Sequence, residues 1–272
     1  ALPRLASGQN TTTRSKTFTL VNACKEIIWP GIISKGSDNP EEGFSLKPGE
    51  TTFRSYPSGW SGRIWARTAC NFDQNGSGKC LTGSCGTSLN CSAPSSPPNT
   101  IAEFTIGDLD FYDVSLVDGF NVPIAIQPLN GKGECNRAGC DGDLRRDCPD
   151  ELAVMSDHKI EACRSACDVF GNDTYCCQEG NAAKGNCTLG NYSARFREVC
   201  PATSVQERTL VMTCAASDYV VAFCASRNQT LCSYHGNRLV CSTSSYAEKT
   251  LPQQWWIAVL TLPAMFILRI KF

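Results

Sequence analysis

A mainly β fold, a sandwich or barrel that carries a disulfide-held helical lobe, is predicted by three features of this 272-residue chain. Short apolar segments recur over residues 17–134, separated by clusters of Gly, Pro, Asn and Asp, as in a series of hairpin-connected strands. The 18 cysteines place the chain in an oxidising compartment, because cytosolic thiols are kept reduced. Helical spacing appears only within residues 135–200, where cysteines interrupt it.

The chain opens with the polar stretch ALPRLASGQNTTTRSK, read as already processed, with residues 1–16 flexible. The strands follow as TFTLVN, KEIIW, ETTFR, SGRIWART, IAEFTI, DVSLV and VPIAI. In the cysteine-rich lobe, DHKIEACRSACDVF (157–170) has the spacing of a helix, with Ser156 or Asp157 as its cap. Strands return in RTLVMTC and SDYVVAFC, so that strands from both ends of the domain close one sheet. Adjacent Cys176 and Cys177 would strain a ring if bonded to each other, and are expected to bond in two directions.

Residues 225–254 read as a Ser/Thr-containing linker with an extra cysteine pair, Cys232 and Cys241. After them comes the apolar run WWIAVLTLPAMFIL (255–268), which as a helix would span ~21 Å, short of a ~30 Å hydrocarbon core. Small residues Ser242–Ser245, a polar spacer and an apolar tail (255–272) follow the pattern of a GPI attachment signal. A cleaved vacuolar-type propeptide and a short membrane segment are the alternatives. The expected location is extracellular, at the cell surface if the anchor is attached.

The formal charge of −1 leaves no basic excess to neutralise phosphate, so no nucleic acid is expected. Neither a cofactor nor a metal is expected; Cys232, His235 and Cys241 make only a fragment of a zinc set. No nucleophile elbow, phosphate loop or zinc-protease motif occurs. Sequons stand at Asn10, Asn75, Asn90, Asn172, Asn186, Asn191 and Asn228, of which Asn90 and Asn186 precede cysteines expected to be bridged.

The stretch DFYDVSLVDGFNVP (110–123) poses the sharpest question, because Asp110, Asp113 and Asp118 crowd one strand although like charges repel. Together with NACKEIIWPGIIS (22–34), PSGWSGRIWARTAC (57–70), GSGKCLTGSC (76–85), PPNTIAEFTI (97–106), SACDVFGNDTYCC (165–177) and NYSARFREVCP (191–201), it resembles the plant thaumatin-like protein family. The likeness is to the larger, osmotin- and zeamatin-like members, and covers residues 17–224. It implies a β-sandwich flanked by a helical disulfide lobe, with a cleft between them. It also implies the bridges Cys24–Cys224, Cys70–Cys80, Cys85–Cys91, Cys135–Cys214, Cys140–Cys200, Cys148–Cys163, Cys167–Cys176 and Cys177–Cys187. Cys232 and Cys241 lie outside the family pattern and most simply bond each other.

By the same resemblance the cleft is lined by Arg63, Glu103, Asp113 and Asp118, with Glu207 the nearest match to a further acidic residue in a shortened segment. Ser84 replaces the aspartate of the family's TGDC. The blander readings are that Arg63 only bridges aspartates, that Glu103 is a solvated strand residue, and that Asp118 makes a turn before Gly119. Asp108 and Asp110 are read as turn residues, and Phe111 and Tyr112 as core and rim rather than sugar platforms. Asp113 and Asp118 are five apart, so a strand end or bulge must re-aim Asp118 for both to share a surface. The function implied is that of a monomeric defence-type protein that binds β-1,3-glucan of fungal walls. The alternatives are a weak endo-β-1,3-glucanase with Glu103 as acid and Asp118 as its partner, and a surface-tethered sensing module.

Overall fold

The structure is a computed structural model that describes residues 15–36, 42–177, 190–206 and 208–242. Five strands form one sheet in the order β10 (Ala138–Gly139), β9 (Ile124–Leu129), β14 (Asp218–Phe223), β1 (Lys16–Asn22), β4 (Thr51–Tyr56). The second sheet has the order β13 (Met212–Cys214), β8 (Asp110–Ser115), β7 (Ile101–Thr105), β5 (Ser61–Phe72), β2 (Trp29–Ser34), β3 (Glu42–Gly43), and β6 (Gly78–Thr82) pairs with the far end of β5. Strands from the two ends of the domain do meet: β1 runs parallel to β14, Phe18 opposite Tyr219, and the Cys24–Cys224 disulfide links the residues just beyond them.

The main core lies between the sheets and is rich in rings. Phe18 meets Tyr56, Trp60 and Phe104 edge-on, with centroids 4.9–5.4 Å apart, within the range that aromatic pairs favour. Alternation explains the assignment: Phe18 and Leu20 of β1 and Tyr219, Val221 and Phe223 of β14 point into this core. Their neighbours Val21, Val220 and Ala222 point the other way and are also buried, in a separate cluster with Leu231 and Cys232. That is why YVVAF is continuously apolar, as a strand covered on both faces must be. The cover is a hairpin of β15 (Cys232–His235) and β16 (Arg238–Cys241), closed by the Cys232–Cys241 disulfide, within the stretch expected as a linker. Bridging consumes both thiols of the zinc-set fragment considered above.

Asp110 is not a turn residue. It lies on β8, wholly buried, where it accepts from Lys16 Nζ at 2.8 Å, from the Tyr219 hydroxyl at 2.7 Å and from the Gly107 N–H at 3.0 Å. Lys16, placed by the sequence reading in a flexible segment, is for the same reason 5% exposed and the first residue of β1. Arg67, 1% exposed, donates to the backbone carbonyls of Trp29, Pro30, Ser88 and Leu89, and burial lowers its pKa to about 10.

The lobe has its own core around Leu116, Phe120, Leu144, Leu152 and Phe196. The helix expected over 157–170 is instead a hairpin and a short helix. β11 (Ala153–Ser156) and β12 (Lys159–Cys163) pair around Asp157 and His158, whose φ angles are 48° and 62°. Two successive left-handed residues make the turn that matches strand twist, and a short polar side chain such as that of aspartate tolerates this region. The cap is Ser165 rather than Ser156 or Asp157: it accepts from the Asp168 N–H and opens α1 (Ala166–Phe170), which Gly171 ends at φ 62°. A second helix, α2 (Asn191–Val199), seats Phe196 in the lobe core.

Among the described residues the bridges are Cys24–Cys224, Cys70–Cys80, Cys85–Cys91, Cys135–Cys214, Cys140–Cys200, Cys148–Cys163, Cys167–Cys176 and Cys232–Cys241. Cys177 is disulfide-bonded, and its expected partner Cys187 lies outside the described residues. So do Glu207, Asn10, Asn186 and the C-terminal apolar run. Among the described residues no helix is long and apolar enough to cross a membrane. Asn75, Asn90, Asn172, Asn191 and Asn228 are exposed.

Candidate functional site

The long central strand β5 and its neighbours β7 and β8 set three charged residues in one line. Arg63 pairs in register with Glu103, and Glu103 with Asp113. Directly opposed residues share a face, and their side chains stand close enough to touch. The residues beside them in sequence, Ile64, Phe104 and Tyr112, point to the other face and belong to the ring-rich core. One face of these strands is therefore anchored in the core and the other carries charge.

Arg63 Nε donates to Glu103 Oε1 at 2.6 Å, and both side chains remain partly exposed, at 38% and 28%. Asp113 lies deeper, at 8% exposure. It accepts from the Ser204 hydroxyl at 2.7 Å, and Ser204 Oγ accepts in turn from the Leu210 N–H at 2.9 Å. Burial pushes the Asp113 carboxyl up to a pKa of about 6, although the Ser204 hydrogen bond pulls it the other way.

Asp118 reaches the same field by a change of chain direction. β8 ends at Ser115, the Gly119 N–H bonds back to the Leu116 carbonyl at 3.0 Å, and Gly119 takes φ 88°. The strand end that parity demanded is therefore present. Burial raises the Asp118 pKa; the Arg63 charge opposes this, while Glu103 and Asp168 add to it. Asp168 stands on α1, across from the sheet, ion-paired with Arg164 at 2.6 Å. It is the acidic group that the lobe contributes, and nothing in its sequence context separated it from other helix-start aspartates.

The opening question thus has a physical answer. The three aspartates of residues 110–123 do not share one environment. Asp110 is neutralised inside the sandwich by Lys16, Asp113 sits at the base of the charged row, and Asp118 stands at its edge. Beside Glu103 and Asp113 a groove of about 160 Å³ is bordered by Lys35, Ser61, Thr105, Phe111 and Val211. Phe111 is 45% exposed there, an aromatic surface at the rim with hydroxyls and carboxylates along the floor. Ser204, which hydrogen-bonds Asp113, was missed by sequence reasoning; the only signal was its place in the shortened segment after Cys200. Ser84 bonds locally, to the Gly86 carbonyl at 3.2 Å.

Residues 22–225 match the model of the Thaumatin family. The chain is 46% identical over 215 residues to Pathogenesis-related thaumatin-like protein 3.5 of Cryptomeria japonica, with 77% of this chain and 90% of that protein covered. It is 44% identical over 214 residues to Pathogenesis-related protein 5 of Arabidopsis thaliana, covering 76% and 89%. Thaumatin-like protein 1 of Arabidopsis thaliana is 43% identical over 227 residues, covering 77% and 86%. The family match begins at the last residue of β1, takes in the other strands of both sheets and the lobe, and stops short of the β15–β16 ribbon, and on these grounds the chain belongs to the thaumatin family as a plant-type thaumatin-like protein.

Proposed function

We propose that this chain is a secreted, defence-type protein that binds β-1,3-glucan of cell walls in the cleft formed by Arg63, Glu103, Asp113 and Asp118. The observation that carries the reading is the in-register charged row bordered by exposed Phe111, Ser61 and Thr105. Carboxylates and a guanidinium side by side offer both acceptors and donors to sugar hydroxyls, while a ring at the rim covers a sugar's C–H face. The disulfides support an oxidising location, and two of the relatives are named pathogenesis-related.

The test is retention on insoluble β-1,3-glucan against cellulose, for the wild type, Glu103→Gln and Phe111→Ala. Selective retention that weakens about tenfold in either variant, the loss of one good polar or stacking contact, is the expected result. Equal retention by all three proteins, or equal binding to both polymers, would overturn the reading.

A hydrolytic reading is favoured by one observation, the unequal environments of the carboxyls. Glu103 is ion-paired with Arg63, whereas burial moves Asp113 and Asp118 towards the protonated form. If the cleft hydrolyses glucan, the proton donor is then an aspartate and Glu103, held by Arg63, its partner, the reverse of the roles that sequence reasoning assigned. Reducing-end release lost in both Glu103→Gln and Asp118→Asn, and restored by added azide only in Glu103→Gln, would assign the donor to Asp118. Release unchanged in both variants would identify a contaminant.

A further inference from the structure

A cavity of about 590 Å³ that shares no lining residue with the acidic groove lies between the sandwich and the lobe. The Cys24–Cys224 disulfide, Ile28, Val122, Pro123 and Ala225 give it an apolar floor. Lys25, Glu26 and Ile27, from the connection after β1, form one wall, and residues 142–146 of the lobe form another. Its size falls within the range of small-molecule sites, about 300–1,000 Å³.

The charge on its rim is opposite to that of the cleft. Lys25, Arg145, Arg146 and Lys159 line it against two carboxylates, Glu26 and Asp143. Both carboxylates are already engaged. Asp143 holds Arg145 through Nε at 2.9 Å and Nη2 at 2.6 Å, and Glu26 holds Lys159 at 3.2 Å, with Glu161 also on Lys159 at 3.3 Å. Among the described residues Lys25 and Arg146, both exposed, have no side-chain partner, and Arg145 Nη1 makes no hydrogen bond. Arg145 is thereby held in place with one donor to spare. Among the described residues no aromatic ring lines the cavity, so these residues offer no stacking surface of the kind a sugar would use.

We propose that this cavity binds a small amphipathic organic anion. Its carboxylate or sulfonate head lies against Lys25, Arg146 and the spare donor of Arg145, and its apolar body covers the Ile28–Val122–Ala225 floor. Charge-assisted hydrogen bonds hold the head, and burial of the apolar body supplies the rest.

The test uses 8-anilinonaphthalene-1-sulfonate as an anionic fluorescent probe and N-phenyl-1-naphthylamine as its neutral counterpart, on the full chain. The expected result is saturable binding of the sulfonate, displacement by octanoate, and about tenfold weaker binding in the double variant Lys25→Gln/Arg146→Gln. The neutral probe binds that variant and the wild type alike. Both substituted residues are exposed and outside the acidic cleft, so retention on β-1,3-glucan serves as the folding control. Absence of saturable binding, failure of octanoate to compete, or equal affinity in the double variant overturns the proposal. So does loss of probe binding in Phe111→Ser, which would place the probe on the rim of the acidic cleft.

Discussion

Replacing Asp113 with asparagine should flatten the pH dependence of stability. A carboxyl with a pKa of about 6 when folded and 3.8 as the unperturbed reference holds its proton more tightly in the native state. The stability it contributes is therefore complete below the unfolded value and lost as pH rises through the folded one. At ~1.36 kcal/mol per pH unit, the gap amounts to about 3 kcal/mol once Asp113 is fully ionised, of which roughly 2 kcal/mol falls between pH 4 and 7. Asparagine keeps the shape and can still accept from the Ser204 hydroxyl, but it cannot ionise. Urea unfolding of both proteins with disulfides intact, at pH 4, 5, 6 and 7, measures the difference. Asp118 is raised in both proteins and cancels in the comparison. The wild type should lose about 2 kcal/mol more than Asp113→Asn over that interval. Parallel profiles would refute the view that burial of Asp113 governs its protonation.

The buried pair of Lys16 and Asp110 gives a second expectation. Asp110→Ala leaves a buried ammonium and the Tyr219 hydroxyl without their acceptor, and should cost about 3–5 kcal/mol in chemical unfolding. Lys16→Met with Asp110→Leu should recover most of it. Gly119→Ala should lower the melting temperature, since φ is 88° and the added Cβ would stand 2.7 Å from the Cys163 carbonyl oxygen; it should also weaken glucan retention by moving Asp118. Arg63→Gln removes the charge that holds the Asp118 pKa down, so a carboxyl-carbon NMR titration should find that pKa higher than in the wild type; an unchanged value would show that the two do not interact. Cys232→Ser with Cys241→Ser should speed amide exchange across residues 232–241 while β5 and β7 keep their protection.

Much of the fold was legible because strand alternation and turn residues are local signals. The segments TFTLVN, SGRIWART, IAEFTI and SDYVVAFC became β1, β5, β7 and β14, and the cysteine content announced a disulfide-bonded chain. The lobe was misread at 157–170 for an equally local reason. A hairpin with apolar residues on both faces has nearly the spacing of an amphipathic helix, and the deciding feature, two left-handed residues at Asp157 and His158, leaves no mark in the residue pattern. Likewise, the apolar run of β14 announced burial on both faces, but not that its cover would be the Cys232–Cys241 ribbon.

The candidate site divides in the same way. Its residue types and positions, Arg63, Glu103, Asp113 and Asp118, could be taken from the family's motifs. Their separate characters could not, because a carboxyl's behaviour is set by what the chain brings beside it from far away. Asp110 meets Lys16, 94 positions distant, and Asp113 meets Ser204, 91 positions distant. Three aspartates written within nine residues thus became an interior ion pair, a buried acid and a cleft-edge carboxyl. Sequence alone determined that this chain would fold as a disulfide-bound β protein with a clustered set of acids. Only the tertiary structure, by fixing burial and long-range partners, decided which of those acids holds the fold together and which stand in the charged row on the outer face of the sheet.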